Sequence, residues 1–148
     1  MVEAETWSAE EKEEIEKSLR DERPVLFRGA ISYLEPKFAV AVPDNRIPSI
    51  KITGELDDEP PKPLAFYDLE NNVMSMPLDG GLFGTPFVAG YAAGTFLHSI
   101  VNPTLFSQKK SLVGILKAAK RKQYEIEPLK EFVAAYAACD YYSHRLGD

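Results

Sequence analysis

The stretch Val25-Leu26-Phe27-Arg28-Gly29-Ala30-Ile31-Ser32-Tyr33-Leu34 decides how the chain is divided. It is rich in β-formers and follows Pro24, and Gly29 can be taken as a bulge, so it is expected to be the first strand of a sheet. Glu35-Pro36 then makes a turn, and Phe38 to Val42 forms a second strand. Asp44-Asn45 is a further turn signal. Beyond it Ile50 and Ile52 alternate with Ser49, Lys51 and Thr53, the period of a half-buried strand. Leu64 to Asp68 and Val73 to Met76 flank Glu70-Asn71-Asn72, a hairpin signal. The segment 54–63 holds four acidic residues and three prolines and reads as an exposed loop. Short sequential strands joined by tight turns imply an antiparallel sheet of four to five strands over 25–76.

Before the sheet, Ser8 and Glu11 have the spacing of a capping box, in which a serine caps the Glu11 amide and the glutamate reaches back. A glutamate-rich outer helix is expected over 8–21, preceded by a flexible 1–7 and ended by Pro24. After the sheet, Asp79-Gly80-Gly81-Leu82-Phe83-Gly84 is a glycine loop, and Thr85-Pro86 reads as an N-cap with proline at the first helical position. One helix is expected from Pro86 to about Val101 and is broken by Asn102-Pro103. A second runs from Ser107 or Ser111 to Lys122. A third runs from Pro128 to Leu146, with Gly147 as its stop. The expected fold is α+β: one domain over 1–148, an N-terminal helix, the antiparallel sheet, and three helices within 86–146 packed on one face.

The totals exclude several functional classes. The 148 residues suit one core rather than two. Hydrophobic residues are 45% and charged residues 27%, the balance of a globular chain. A net charge of −6 opposes nucleic-acid or anionic-membrane binding by the molecule as a whole. The longest apolar candidate, Phe87 to Val101, is too short for a bilayer and carries Thr95, His98 and Ser99. A single cysteine, Cys139, leaves no internal disulfide and no multi-cysteine zinc site. A cytoplasmic location fits these features, with no cofactor and no metal expected.

Three places invite chemistry. The glycine loop, through Gly81, Gly84 and Thr85, has the makings of an anion site, because free amides at a helix start attract negative charge. It lacks the Gly-Lys-Ser/Thr ending of a P-loop, and turning the chain into a helix explains the glycines equally well. The strip Ala89-Gly90-Ala93-Gly94 suits close packing of another backbone and marks a central helix. The most uneven charge lies between Val101 and Lys130, with seven basic and two acidic residues. On the second C-terminal helix Leu112, Ile115, Leu116 and Ala119 fall on one face. Lys110, Lys117 and Arg121 lie within about 40° of one another on the opposite face. Together with Lys109 and Lys120 they form a basic face suited to an acidic partner or to the chain's own glutamate-rich helix. Nucleic acid is a weaker fit, since no aromatic residues interleave with the lysines.

On the third C-terminal helix Leu129, Val133 and Tyr136 form an apolar stripe that Asp140 and His144 continue. An aspartate four residues before a histidine can orient the imidazole or share a metal, and His98 would have to approach to complete a site. A helix-terminal histidine that complements the dipole accounts for the same pattern. The favoured function is therefore a binding or regulatory protein acting through a macromolecular surface, with the basic helix 107–122 as its face and another protein or a second copy as partner. The alternative is a small enzyme or anion-binding domain using the glycine loop 80–85 with His98 and Asp140/His144.

Overall fold

The structure, a computed structural model, describes residues 8–56, 58–61, 63–80, 84–103, 106 and 113–147, with backbone alone over 113–127. The stretch 25–34 is helix. It lies within α1 (Ala9–Phe38), which runs through both Pro24 and Pro36 and closes at Ala39 in the left-handed region, φ 57°. The buried positions Arg23, Leu26, Phe27, Ala30, Ile31 and Leu34 explain why. They recur at i, i+3, i+4, i+7, i+8 and i+11, which is one face of a helix and not of a strand. Pro24 removes one backbone hydrogen bond on an exposed turn, where water can take up the freed carbonyl. The outer helix expected over 8–21 is the first half of α1, and its Ser8–Glu11 capping box is present, with both bonds at 3.1 Å.

The sheet is smaller than expected and mixed. It consists of β1 (Ser49–Thr53), β2 (Phe66–Asp68) and β3 (Val73–Pro77), in the order β1-β3-β2. β2 and β3 form the antiparallel hairpin that the asparagine turn foretold. β1 pairs with β3 in parallel, from Ser49 opposite Val73 to Thr53 opposite Pro77. A wholly antiparallel sheet of four to five strands is thus incorrect. The two strands expected before Val42 belong to α1 and its exit, and the chain after Thr53 loops out and returns through β2 before β3 enters beside β1. The central strand β3 buries Met74 and Met76, while both edge strands retain exposed positions.

Among the described residues two long helices follow instead of three. α2 (Gly84–Val101) is buried from Val88 through Ser99, and so is enclosed on all sides. α3 (Val113–Gly147) continues through Pro128, which had been expected to start a separate helix. The α2–α3 seam rests on small residues. A Cβ on Gly94 would lie 2.4 Å from the Ala137 Cβ, and one on Gly90 would lie 3.0 Å from the Ala138 Cα. Glycine facing alanine lets the two helices approach closely, as the 90–94 strip required. The other side of α2 meets Phe27 of α1 and Tyr67 of β2 through Phe96, at ring-centroid distances of 6.4 and 5.3 Å.

Candidate functional site

The packing of α2 on α3 fixes where the candidate residues lie. Gly90 meets Ala138 and Tyr141, Gly94 meets Ala134 and Ala137, and Phe87 meets Tyr142, so the two helices are antiparallel. His98 therefore sits near Lys130, ten residues before Asp140, which is about 15 Å along a helix. It is also about 21 Å along α2 from Gly84. The structure does not bring His98 together with Asp140 and His144, nor with the start of α2. Among the described residues there is no group of three His, Cys, Asp or Glu side chains placed to hold a metal.

His98 is buried, with its ring edge-on to Phe106 at 5.4 Å and 84°. The Lys130 ammonium lies 4.5 Å from the centre of the same Phe106 ring. Among the described residues the His98 Nδ1 has no hydrogen-bond partner. Burial pushes the imidazole pKa below its usual value, and the Lys130 charge pushes it the same way. His98 is thus a neutral, enclosed side chain near the C-terminal end of α2, edge-on to Phe106.

Asp140 ties α3 to α1. It accepts a hydrogen bond from the Tyr33 hydroxyl at 2.6 Å and pairs with the Lys37 ammonium at 3.3 Å. The His144 ring stacks on Tyr33 at 4.1 Å and 18°. The bond to Asp140 raises the Tyr33 pKa, and the same carboxylate raises that of Lys37. Tyr33 and Lys37 were not identified from the sequence. Their i, i+4 spacing on the last turns of α1 was hidden once that segment was taken as strand and turn.

At the start of α2, Gly84 has φ 77° and Thr85 follows within the first turn; Gly81 lies outside the described residues. The chain entering this turn is held from α1 by Arg23. Arg23 is fully buried and donates from Nη2 to the Pro77 carbonyl at 3.0 Å and to the Leu78 carbonyl. Among the described residues its Nε and Nη1 have no partner, and burial lowers its pKa while Glu22 and Asp79 oppose that shift. Arg23 is an anchor between α1 and the end of β3. An arginine occupying the first position of a helical apolar series was the available signal.

Of the basic face, Lys109 and Lys110 lie outside the described residues, as does Leu112. Lys117, Lys120 and Arg121 fall in the backbone-only part of α3. Further along the same helix the expected stripe divides. Val133 is half-buried on the core side, but Leu129 and Tyr136 are exposed. The α3 residues buried in the core are Ala134, Ala137, Ala138 and Tyr141. The outward face carries Leu129, Phe132 and Tyr136 at i, i+3 and i+7, with Phe132 68% and Tyr136 67% exposed and their rings stacked at 6.5 Å. Cys139 and Ser143, both exposed, continue that face. Most of the bulky apolar side chains of this half-helix thus point away from the core.

No protein-family model, curated protein or solved structure matches this chain. No helix among the described residues is long and apolar enough to cross a membrane.

Proposed function

We propose that this protein is a protein-interaction module that pairs with a second copy of itself through the outward face of the C-terminal half of α3. The observation that carries this reading is the distribution of side chains on that helix, three alanines and Tyr141 inward and Leu129, Phe132 and Tyr136 outward. Rings left in water at such exposure are stabilised by covering them. A second copy fits because the outward residues Leu129, Phe132, Tyr136, Cys139 and Ser143 are uncharged, and Asp140 beside them is already paired with Lys37. This face gives an acidic or basic partner nothing to recognise, and it escapes the repulsion that a net charge of −6 imposes elsewhere on two approaching copies. A two-fold relation sets Phe132 of one copy against Tyr136 of the other, so the face complements itself.

Opposite charges in the same chain support the pairing. Residues 10–22 of α1 carry seven acidic and three basic side chains, whereas Lys109, Lys110, Lys117, Lys120 and Arg121 belong to a stretch without acids. The two regions attract across copies, and the basic helix segment also remains a face for a separate acidic protein. Covering four aromatic rings contributes roughly 6–12 kcal/mol. Association loses about 4–15 kcal/mol of translational and rotational freedom. The pair is therefore expected to be concentration-dependent rather than permanent.

Sedimentation equilibrium tests the reading. The wild-type chain should shift from monomer to dimer across the micromolar range. Phe132→Asp combined with Tyr136→Asp should hold it monomeric, with the melting temperature of the wild type at monomeric dilution. A wild-type monomer throughout, or a variant that associates as the wild type does, refutes it.

A further inference from the structure

Away from α3, the turn at 41–46, the β2–β3 hairpin and the C-terminal end of α2 enclose a cleft of about 630 Å³. That volume lies within the range of small-molecule sites, roughly 300–1,000 Å³. Its walls are mainly apolar, with Leu69, Phe96 and Ile100 among them, and its polar side chains are Arg46, Tyr67, Asn72 and Ser99. Arg46 is the one charged residue in the lining among the described residues. Among the described residues no carboxylate lies within salt-bridge distance of it, since nearby Asp44 pairs with Arg28 at 3.9 Å.

The polar side of the cleft is held rigidly. Asn72 has a left-handed φ of 54° and makes three ties from that position. Its Oδ1 accepts from the Tyr67 hydroxyl at 2.6 Å, and its Nδ2 donates to the Arg46 carbonyl at 3.3 Å. Its own carbonyl accepts from the Ser49 amide at 3.1 Å. A side-chain amide in an uncommon conformation thus fixes the Arg46 backbone against β1 and against Tyr67. Tyr67 stays a neutral phenol because burial raises its pKa more than the neighbouring Arg46 charge lowers it.

We propose that this cleft binds a small amphipathic carboxylate, with its hydrocarbon or aryl body against Phe96, Leu69 and Ile100 and its carboxylate on the Arg46 guanidinium. A planar fork of donors matches a carboxylate bidentately. One guanidinium balances one negative charge, and among the described residues no second cation lines the cleft to hold a phosphate dianion. The apolar walls need a partner of the same character. Asn72 acts as a positioning residue that sets Arg46.

Fluorescence of anilinonaphthalene sulfonate, an amphipathic anion that brightens in apolar surroundings, tests this through displacement by octanoate and by octanol. Because the dye can also settle on exposed rings of α3, the titration is run in the Phe132→Asp/Tyr136→Asp background. Octanoate should displace the dye at least about tenfold more effectively than octanol. Arg46→Gln, a surface change that breaks no salt bridge among the described residues, should weaken octanoate about tenfold and erase the preference for acid over alcohol. Ile100→Trp should fill the cleft and prevent binding of both. Equal displacement by acid and alcohol, an unchanged Arg46→Gln variant, or no brightening of the dye overturns the proposal. Should Ile100→Trp fail to fold, the Arg46→Gln comparison decides alone.

Discussion

His98 and Arg23 show what single residues do in this molecule. His98 is neutral in the fold because burial and Lys130 both disfavour its charged form. Below its ordinary pKa of 6.5 the unfolded chain takes up a proton that the folded chain resists, so stability rises with pH across that window and falls on acidification. Melting temperatures measured between about pH 7 and pH 5 should decline for the wild type and decline less for His98→Gln. An identical slope in the two proteins would remove His98 from the acid response. Glu11 and Asp68, whose pKa values are lowered by bonds to Ser8 and Asn71, contribute stability that is lost only at more acid pH, below the ordinary carboxylate values of 4.5 and 3.8. Residue identities were legible as far as local chemistry reached. The Ser8–Glu11 cap needs three residues of context and was read correctly. The Arg23 anchor reaches Pro77 and Leu78, more than fifty positions away, and nothing local announces such a partner.

Among the elements, the two long helices explain most of what the sequence concealed. A proline inside a helix is disfavoured by about 3 kcal/mol, which is why Pro24 and Pro128 read as boundaries. Against that, burying Leu26, Phe27, Ile31 and Leu34 contributes about 1.5–3 kcal/mol for each side chain, so tertiary packing prevails at Pro24. The pattern 23, 26, 27, 30, 31, 34 was present in the sequence, but the β-forming composition of 25–34 obscured it. By contrast, β1 and the β2–β3 hairpin were legible because alternation and the Asn71-Asn72 turn are short-range signals, whereas parallel pairing of β1 with β3 depends on a long connection. The seam between α2 and α3 offers its own test. Gly94→Ala should destabilise the protein, because a Cβ 2.4 Å from that of Ala137 forces the helices apart. Overpacking of this kind costs about 1–3 kcal/mol, more than the roughly 1 kcal/mol gained in helix propensity. Urea denaturation should show a lower midpoint with an unchanged slope, and Ala137→Gly in the same chain should restore part of the loss. A midpoint at or above wild type would contradict close packing at this seam.

Across the whole molecule, a small mixed sheet and α1 pack on one side of α2 while α3 covers it on the other, and along the sequence charge divides by region. Acidic groups crowd the first half of α1, basic residues gather before and within the first half of α3, and the second half of α3 presents uncharged rings. The charge division was legible from composition. The candidate site was not, because Leu129 and Tyr136 were assigned to the core; only the alanine-lined seam reveals that they face outward. Cys139, exposed on that same face and the only cysteine in the chain, allows the pairing to be measured directly. Helices packed face to face lie about 8–10 Å apart, and Cys139 is within about two helical turns of Phe132. Spin labels on Cys139 should therefore give an intermolecular dipolar distance below about 30 Å that disappears in Phe132→Asp/Tyr136→Asp. A wild-type sample with no intermolecular coupling at concentrations where sedimentation shows dimer, or a coupling that survives the double substitution, would contradict association through the outward face of α3.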